Sequence, residues 1–248
     1  MAILTMLLRK MAKNRWLVAG LLAGMCLCTA LTSSMPIYKE ASLKRMLHKE
    51  LEGYYDRSSV YPGTLYAIYP VSFAPENAYR QGEFIRHMDN YWETTAADVD
   101  HLELIGTVYE RQTASFLITP ADPERVFMKP NVTARFVLRT GLTDHVRLVD
   151  GRLPGPEPVN GAYEALVTNN TLNQLGIVLG TEIVSASQRW APDIRIIPVG
   201  VVEALDVNDS YWDYNSLGAY DTVFFIDEGL FRSEIEQAGK IPLAYSRW

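Results

Sequence analysis

The stretch that decides the fold is "NRWLVAGLLAGMCLCTALTSSMPIY", residues 14–38, an apolar run near the start of the chain. No charged side chain occurs in the 23 residues from Trp16 to Tyr38. At about 1.5 Å per residue a helix of this length reaches roughly 34 Å, which is enough to cross a hydrocarbon core of about 30 Å. Residues 16–38 are therefore predicted to form a transmembrane helix.

A cleaved signal peptide is the alternative interpretation of this run. Four bases precede it without any acid, which suits a signal peptide and the cytoplasmic flank of a retained helix equally well. The strongly apolar part, residues 16–31, is at or beyond the usual length of ~7 to 15 residues in a signal peptide, and this favours retention. Residues 1–15 are accordingly predicted to be a basic cytoplasmic tail. The rest of the chain would then lie outside the cell membrane, anchored in the lipid bilayer by a single pass. The four bases are Arg9, Lys10, Lys13 and Arg15.

Small residues recur every four positions in the run, at Gly20, Gly24 and Cys28. Residues four apart lie on one face of a helix, and small side chains there let another helix approach closely in lipid. This predicts a packing face for other transmembrane helices. The simpler alternative is that glycine is common in membrane helices and has no special role here.

A helical stalk is expected to follow the membrane segment, over residues 39–57. The apolar residues Leu43, Met46 or Leu47, Leu51 and Tyr54 occur at spacings of three to four, which is typical of a helix with one apolar side. Residues 16–57 would then form one stiff element, with a bend near Pro36.

Composition limits what the remaining residues, 58–248, can be. The chain has 29 acids against 23 bases and a net charge of -6, so it offers no basic surface and we expect no nucleic-acid partner. Its two cysteines, Cys26 and Cys28, both lie in the apolar run, so the domain contains no disulfide. A domain of this size must be stable through its own core.

The domain is predicted to have an α+β fold, because stretches typical of strands predominate and helices occur between them irregularly. Residues 64–73 are predicted to form a strand, residues 75–99 a helix, and residues 101–120 two antiparallel strands around a polar turn. The segment 151–161, "GRLPGPEPVNG", is the candidate junction between two lobes, because it has three prolines and three glycines.

No sequence motif for catalysis is found. The chain has no GxxxxGK[ST], GxGxxG, HExxH or GxSxG motif, and we expect no enzymatic activity, cofactor or metal. Two clusters of oxygen and nitrogen donors were considered as metal sites and are interpreted as ordinary polar segments. One consists of Asp98, Asp100, His101 and Glu103. The other consists of Asp206, Asn208 and Ser210, followed by Tyr211 where a calcium loop needs glycine.

Aromatic residues are concentrated in "YWDYNSLGAYD", residues 211–221. Exposed tyrosine and tryptophan favour interfaces, so this segment is a candidate partner surface. The alternative is that the rings cover the core beneath a long loop. The residues concerned are Tyr211, Trp212, Tyr214 and Tyr220.

Three segments resemble one protein family. The membrane run with its stalk is similar to the first membrane helix of FtsX-like ABC transporter permeases. Residues 150–184, "DGRLPGPEPVNGAYEALVTNNTLNQLGIVLGTEIV", resemble the MacB-like extracytoplasmic core domain of these proteins, and "YDTVFFIDEGLFRSEI" is similar to a later strand and helix of that domain. Gly176 suits a helix cap and Gly180 a tight turn, whereas Thr181 stands where the family usually has aspartate.

The resemblance implies a function without a catalytic site in this chain. The chain would be a permease subunit, or the N-terminal part of one, that couples a separate cytoplasmic ABC ATPase to an extracytoplasmic domain for export or mechanotransmission. Its partners would be that ATPase and further membrane helices or a second permease subunit. The alternative is a single-span, membrane-tethered sensor or binding module. An extracytoplasmic hydrolase is a third hypothesis, which requires an acid, a base and a nucleophile in one cleft.

Overall fold

The computed structural model describes residues 6, 13–58, 62–70, 78–94, 106–187, 191, 193–212 and 217–248. The chain divides into two compact units, Met1–Pro62 and Gly63–Trp248. The first unit contains the long helix α1, Arg15–Ser58, and the second contains a mixed helix and sheet domain. The predicted α+β fold with a long apolar N-terminal helix is therefore confirmed.

Helix α1 has 44 residues and covers both the predicted membrane segment and the predicted stalk. It continues through Pro36, although proline removes one hydrogen bond from the helix. The predicted membrane segment and the predicted stalk thus form one continuous helix.

The second unit is built mainly from short strands. Its strands are β1 (Ile68–Pro70), β2 (Glu110–Thr113), β3 (Phe116–Pro120), β4 (Thr133–Arg139), β5 (Val146–Gly151), β6 (Ala162–Val167), β7 (Ile183–Ser185), β8 (Arg195–Ala204), β9 (Val223–Phe224) and β10 (Leu243–Arg247). Its helices are α2 (Ala78–Thr94), α3 (Leu142–His145), α4 (Asn169–Leu175) and α5 (Glu228–Phe231), which runs into a π-helical turn, Arg232–Gln237. A single 3₁₀ turn is described at Leu217–Ala219.

The predicted hairpin within residues 101–120 is wrong. Strands β2 and β3 do not pair with each other; both pair antiparallel with β4, Gln112 opposite Val137 and Phe116 opposite Ala134. They follow one another along the same side of β4, and their pairing with it is interrupted at residues 113–115. The Thr113 hydroxyl accepts a hydrogen bond from the Phe136 amide at 3.0 Å beside this interruption. A single bent strand is therefore shared by two parts of the sheet.

Strand pairing closes a ring on one side of this bent strand. The order is β4, β3, β7, β8, β6 and β9, and β9 returns to β4 in parallel. The contact between β6 and the end of β9 is made by Leu166 and Phe225, whose backbone groups exchange hydrogen bonds of 2.7 and 2.9 Å. On the other side, β2 pairs with β10, and β10 with β1. The ring encloses buried residues of the larger core, among them Phe116, Phe136, Ile183, Ile196 and Phe224.

The segment 151–161 joins β5 to β6, and both of these strands pair with β8. It lies within the unit Gly63–Trp248. The proline- and glycine-rich segment is thus a connection between two strands of the same sheet.

Candidate functional site

The threonine and serine hydroxyl groups in the apolar part of α1 form hydrogen bonds within the helix. Thr29, Thr32, Ser33 and Ser34 each donate a hydrogen bond of 2.7–3.1 Å to a carbonyl oxygen three or four residues earlier. Hydrocarbon offers no partner for polar groups, so this arrangement suits a lipid environment. Among the described residues, α1 is the one helix that is long and apolar enough to cross a membrane.

The predicted packing face is open on the surface of α1. Gly20, Gly24 and Cys28 are all exposed, and a Cβ atom added at either glycine would meet no atom within 4 Å. A second helix could therefore approach the α1 backbone closely at these positions. Their role in packing stays a prediction.

The stalk part of α1 is also exposed along its apolar side. Leu43, Leu47, Leu51 and Tyr54 retain 41–59% of their accessible surface. Lys44 forms an ion pair with Glu40 at 2.8 Å, of the i, i+4 type that supports exposed helices by a few tenths of a kcal/mol.

The start of the segment 151–161 is fixed by close backbone contacts. Gly151 has φ of 79°, and a Cβ atom there would lie 2.1 Å from the Val199 carbonyl oxygen. A Cβ atom at Gly200 would lie 2.3 Å from the Arg152 carbonyl oxygen. Glycine is therefore required at both positions, because β5 and its continuation run against β8 without room for side chains.

An ion pair between Arg152 and Glu164 holds this segment against β6. The Arg152 guanidinium donates two hydrogen bonds to the Glu164 carboxylate, one of 2.7 Å to Oε2, and the Gly155 amide donates to the same oxygen at 3.0 Å. The hydrogen bonds from Arg152 lower the pKa of Glu164, although burial opposes the shift. Glu164 is buried, and its carboxylate is held in the ionised form by the hydrogen bonds from Arg152 and Gly155.

The two expected glycine turns are present. Gly176 has φ of 69° and caps α4 with a hydrogen bond from its amide to the Leu172 carbonyl, and Gly180 has φ of 80°. The Thr181 hydroxyl accepts a hydrogen bond from the Val178 amide at 3.4 Å. Threonine thus supplies a side-chain acceptor in this turn.

The prediction that residues 211–221 present exposed aromatic rings to a partner is wrong for the rings that the structure describes. Tyr211, Trp212 and Tyr220 retain only 5%, 2% and 4% of their accessible surface. They belong to a second core cluster with residues of β4, β6 and β9, so the interpretation that they cover the core is the right one. Tyr214 lies outside the described residues.

The buried rings of Tyr211 and Tyr220 contact a buried ion pair, Arg139 with Glu110. Arg139 donates hydrogen bonds to Glu110 Oε2 at 2.9 Å and to the Tyr220 hydroxyl at 3.0 Å, and Tyr220 donates to Glu110 at 2.7 Å. The Arg139 guanidinium lies 4.6 Å from the centre of the Tyr211 ring and also donates to the Tyr211 carbonyl oxygen. Burial raises the pKa of Tyr220 well above its usual range, so its hydroxyl stays protonated and can donate.

A second charged cluster lies around Arg111. Its guanidinium pairs with Asp89 of α2 and lies 4.5 Å from the Trp248 ring, and the Trp248 indole donates to Asp89 at 2.5 Å. Glu236 lies 3.7 Å from Arg111 and is buried, and this burial raises the pKa of its carboxyl group. Helix α2 reaches the π-helical turn closely here, because a Cβ atom at Gly82 would lie 2.0 Å from the Glu236 carbonyl oxygen.

Among the described residues, no group of three or more His, Cys, Asp or Glu side chains could hold a metal ion. Asp206 instead accepts a hydrogen bond from the Asn208 amide at 2.8 Å, which is an ordinary aspartate turn. The cluster of Asp98, Asp100, His101 and Glu103 lies outside the described residues.

Sequence reasoning missed the buried charges on β2. Glu110 and Arg111 occur in "ERQT", a polar tetrapeptide within the segment predicted to form two strands around a polar turn, but both are buried. The signal that could have identified them is the presence of Arg139 and Asp89 elsewhere in strands and helices, because a buried charge needs a partner.

The chain matches no known protein family, and no curated protein matches it. Among solved structures it is similar to a domain of a protein from Porphyromonas gingivalis that is provisionally named a permease. Sequence identity is 14% and the TM-score is 0.32, over 73% of this chain and 71% of the other. A similarity of this degree is compatible with many unrelated functions.

Proposed function

We propose that this chain is a membrane-anchored permease subunit, or the N-terminal part of one, of an FtsX/MacB-type ABC transporter. The observation that supports this most is the continuity of α1 from Arg15 to Ser58. At about 1.5 Å per residue the part beyond Tyr38 extends the membrane segment by roughly 30 Å. Such a helix can carry a displacement from one side of a membrane to a domain on the other.

In this proposal the chain itself performs no catalysis. A separate cytoplasmic ATPase hydrolyses ATP near the basic N-terminal tail, and α1 transmits the resulting motion outward. The open face at Gly20, Gly24 and Cys28 receives other membrane helices or a second permease subunit. The α+β domain is extracytoplasmic and contacts substrate or a partner protein.

Topology can be tested with cysteines, because the two native ones both lie in the membrane segment. In a Cys26→Ser, Cys28→Ser background, single cysteines replace Lys13 and Thr143, both exposed. A membrane-impermeant maleimide applied to intact cells should label the cysteine at 143 and leave the one at 13 unlabelled. Labelling at 13 alone, or recovery of a shortened soluble chain, contradicts the proposal.

Partnership with an ATPase requires a second experiment. A photocrosslinking amino acid at position 13 should capture an ABC ATPase subunit, and the same group at position 143 should not. A tethered sensor gives the same topology but no ATPase adduct, and α1 as the one candidate span among the described residues fits that function too. The adduct therefore distinguishes the two functions.

A further inference from the structure

A groove lies between the end of β3 and the loop that follows it, residues 121–131. Its volume is about 340 Å³, within the range of about 300–1,000 Å³ that is usual for small-molecule sites. Its apolar lining includes Ile118 of the larger core and Phe127, which packs against that core. Val126 and Met128 line it as well and are exposed. The groove therefore has an apolar lining that extends from the core to the surface.

The loop is held in place by its own turn and by the end of α4. Asp122 Oδ1 accepts a hydrogen bond from the Glu124 amide at 3.0 Å, which is an aspartate turn. The Met128 amide donates to the Leu175 carbonyl oxygen at 3.4 Å. A Cβ atom at Gly176 would lie 2.8 Å from Met128 Cγ, so the helix ends directly against this side chain. A ligand of the groove would therefore bind without first having to order the loop.

Two apolar side chains of this loop are unusually exposed. Val126 and Met128 retain 86% and 76% of their accessible surface, although Phe127 between them packs against the larger core. The loop thus presents apolar surface to water on either side of a buried anchor. Covering such surface with an apolar group is favourable, and exposed apolar patches commonly mark binding sites.

The groove is basic, although the chain as a whole has a net charge of -6. Among the described residues that line it, two are basic, Arg125 and Lys129, and none is acidic. Arg125 Nε lies 3.6 Å from Asp122 Oδ2, but both side chains are more than half exposed. Exposed ion pairs of this kind contribute little to stability, so the guanidinium can exchange this partner for another anion.

We propose that this groove binds an amphiphile with one anionic head group and a short hydrocarbon chain. Arg125 and Lys129 bind the head group, because a guanidinium and an ammonium form charge-assisted hydrogen bonds with phosphate or carboxylate oxygens. Val126, Phe127 and Met128 contact the hydrocarbon chain. The site belongs to the α+β domain, so the inference holds for a permease subunit and for a tethered binding module alike.

Methyl NMR of the full chain in nanodiscs tests this site, with octyl phosphate as the probe and labelled methionine methyl groups. The Met128 signal, identified by its loss in Met128→Leu, should shift in a saturable manner as octyl phosphate is added. The free concentration of the probe is measured after its partition into the nanodisc lipid. Octylamine and inorganic phosphate each have only one of the two required features, so both should bind at least about tenfold more weakly.

Variants separate the contributions of charge and of apolar contact. Arg125→Gln and Lys129→Gln should each weaken the binding of octyl phosphate by about tenfold, because a charge-assisted hydrogen bond is lost. Val126→Ser should weaken the binding of octyl phosphate but not that of inorganic phosphate. The matched control is Arg147→Gln, because Arg147 is likewise exposed and paired with an acid but does not line the groove.

The proposal is overturned if the Met128 signal shows no saturable shift, or if octylamine or inorganic phosphate binds as tightly as octyl phosphate. It is also overturned if both charge variants bind the probe as the wild type does. A Met128 shift that grows with protein concentration without any probe would identify a second copy of the chain as the occupant instead. The methyl signal of Met88, which packs against the larger core, shows whether each variant is folded.

Discussion

Glu110 and Arg111 are adjacent on β2, yet their side chains belong to two separate buried clusters. Glu110 pairs with Arg139 at 2.9 Å, and Arg111 pairs with Asp89. Neighbouring residues of a strand point to opposite faces, so one strand places a charge on each side of the sheet. Each charge is matched by a partner from a different element, β4 on one side and α2 on the other.

Replacing Arg139 with methionine should destabilise the domain strongly. Glu110 would lose its ion partner while remaining buried, and breaking such a pair from one side costs about 3–5 kcal/mol. The free energy of unfolding can be measured by urea titration of the detergent-solubilised chain, followed by tryptophan fluorescence. The control is Arg147→Met, whose partner Glu203 is half-exposed, where the loss should stay below about 1 kcal/mol. If both variants lose the same unfolding free energy, the buried pair stabilises the domain no more than the exposed pair.

Gly200→Ala should also be destabilising, for a steric reason. The new Cβ atom would lie 2.3 Å from the Arg152 carbonyl oxygen, so β5 or β8 must shift. Overpacking of this kind costs about 1–3 kcal/mol. Gly155→Ala is the matched control, because its nearest contact would be an ordinary 3.5 Å. The same urea titration measures both, and a Gly200→Ala variant as stable as Gly155→Ala would contradict the close approach of the strands.

Glu164 should make the domain sensitive to acid. Its folded-state pKa is lowered by Arg152, so the stability it contributes is present above the unfolded-state pKa and is lost as the pH falls through the folded value. Glu164→Gln removes this contribution. The difference in unfolding free energy between wild type and variant should therefore shrink between pH 5 and pH 3. A constant difference over that range would mean that the carboxylate charge does not stabilise the segment.

Gly24→Leu should weaken association with other membrane helices in the proposed transporter. A leucine side chain on the open face keeps a second helix at a greater distance, so the van der Waals contacts between the two helix backbones are lost and association weakens. The measurement is the yield of the ATPase–permease complex on co-purification from the membrane. Ala23→Leu is the control, because it adds comparable bulk on a different side of α1. If both variants reduce the yield equally, the face at Gly20, Gly24 and Cys28 is not the packing surface.

The long helix and the glycine turns could be predicted from the sequence because both depend on local chemistry. An uncharged run followed by apolar residues at helical spacing indicates α1 from Trp16 to about Arg57, and the helix observed is Arg15–Ser58. Gly176 and Gly180 mark left-handed backbone positions that other residues rarely adopt.

The buried charges could not be predicted because their signal is not local. A hydrophobic pattern cannot distinguish a solvated "ERQT" from one whose charges are paired inside the protein. The burial of Tyr211 and Trp212 could not be predicted for the same reason, since a polar segment rich in aromatic residues has the composition of an exposed interface. Their burial depends on Arg139, about seventy residues earlier in the chain, which supplies the hydrogen bonds and the cationic contact.

The bent strand formed by β2 and β3 determines how this domain would bear a mechanical load. Force applied through β1 and β10 enters β2 and passes along the covalent backbone into β3, and so into the ring. The hydrogen bonds of an antiparallel pair are perpendicular to the strands, so a pull directed along this strand loads its bonds to β4 together, in shear. A displacement of β2 along its own direction is therefore passed by the covalent backbone to β3, and so to the ring.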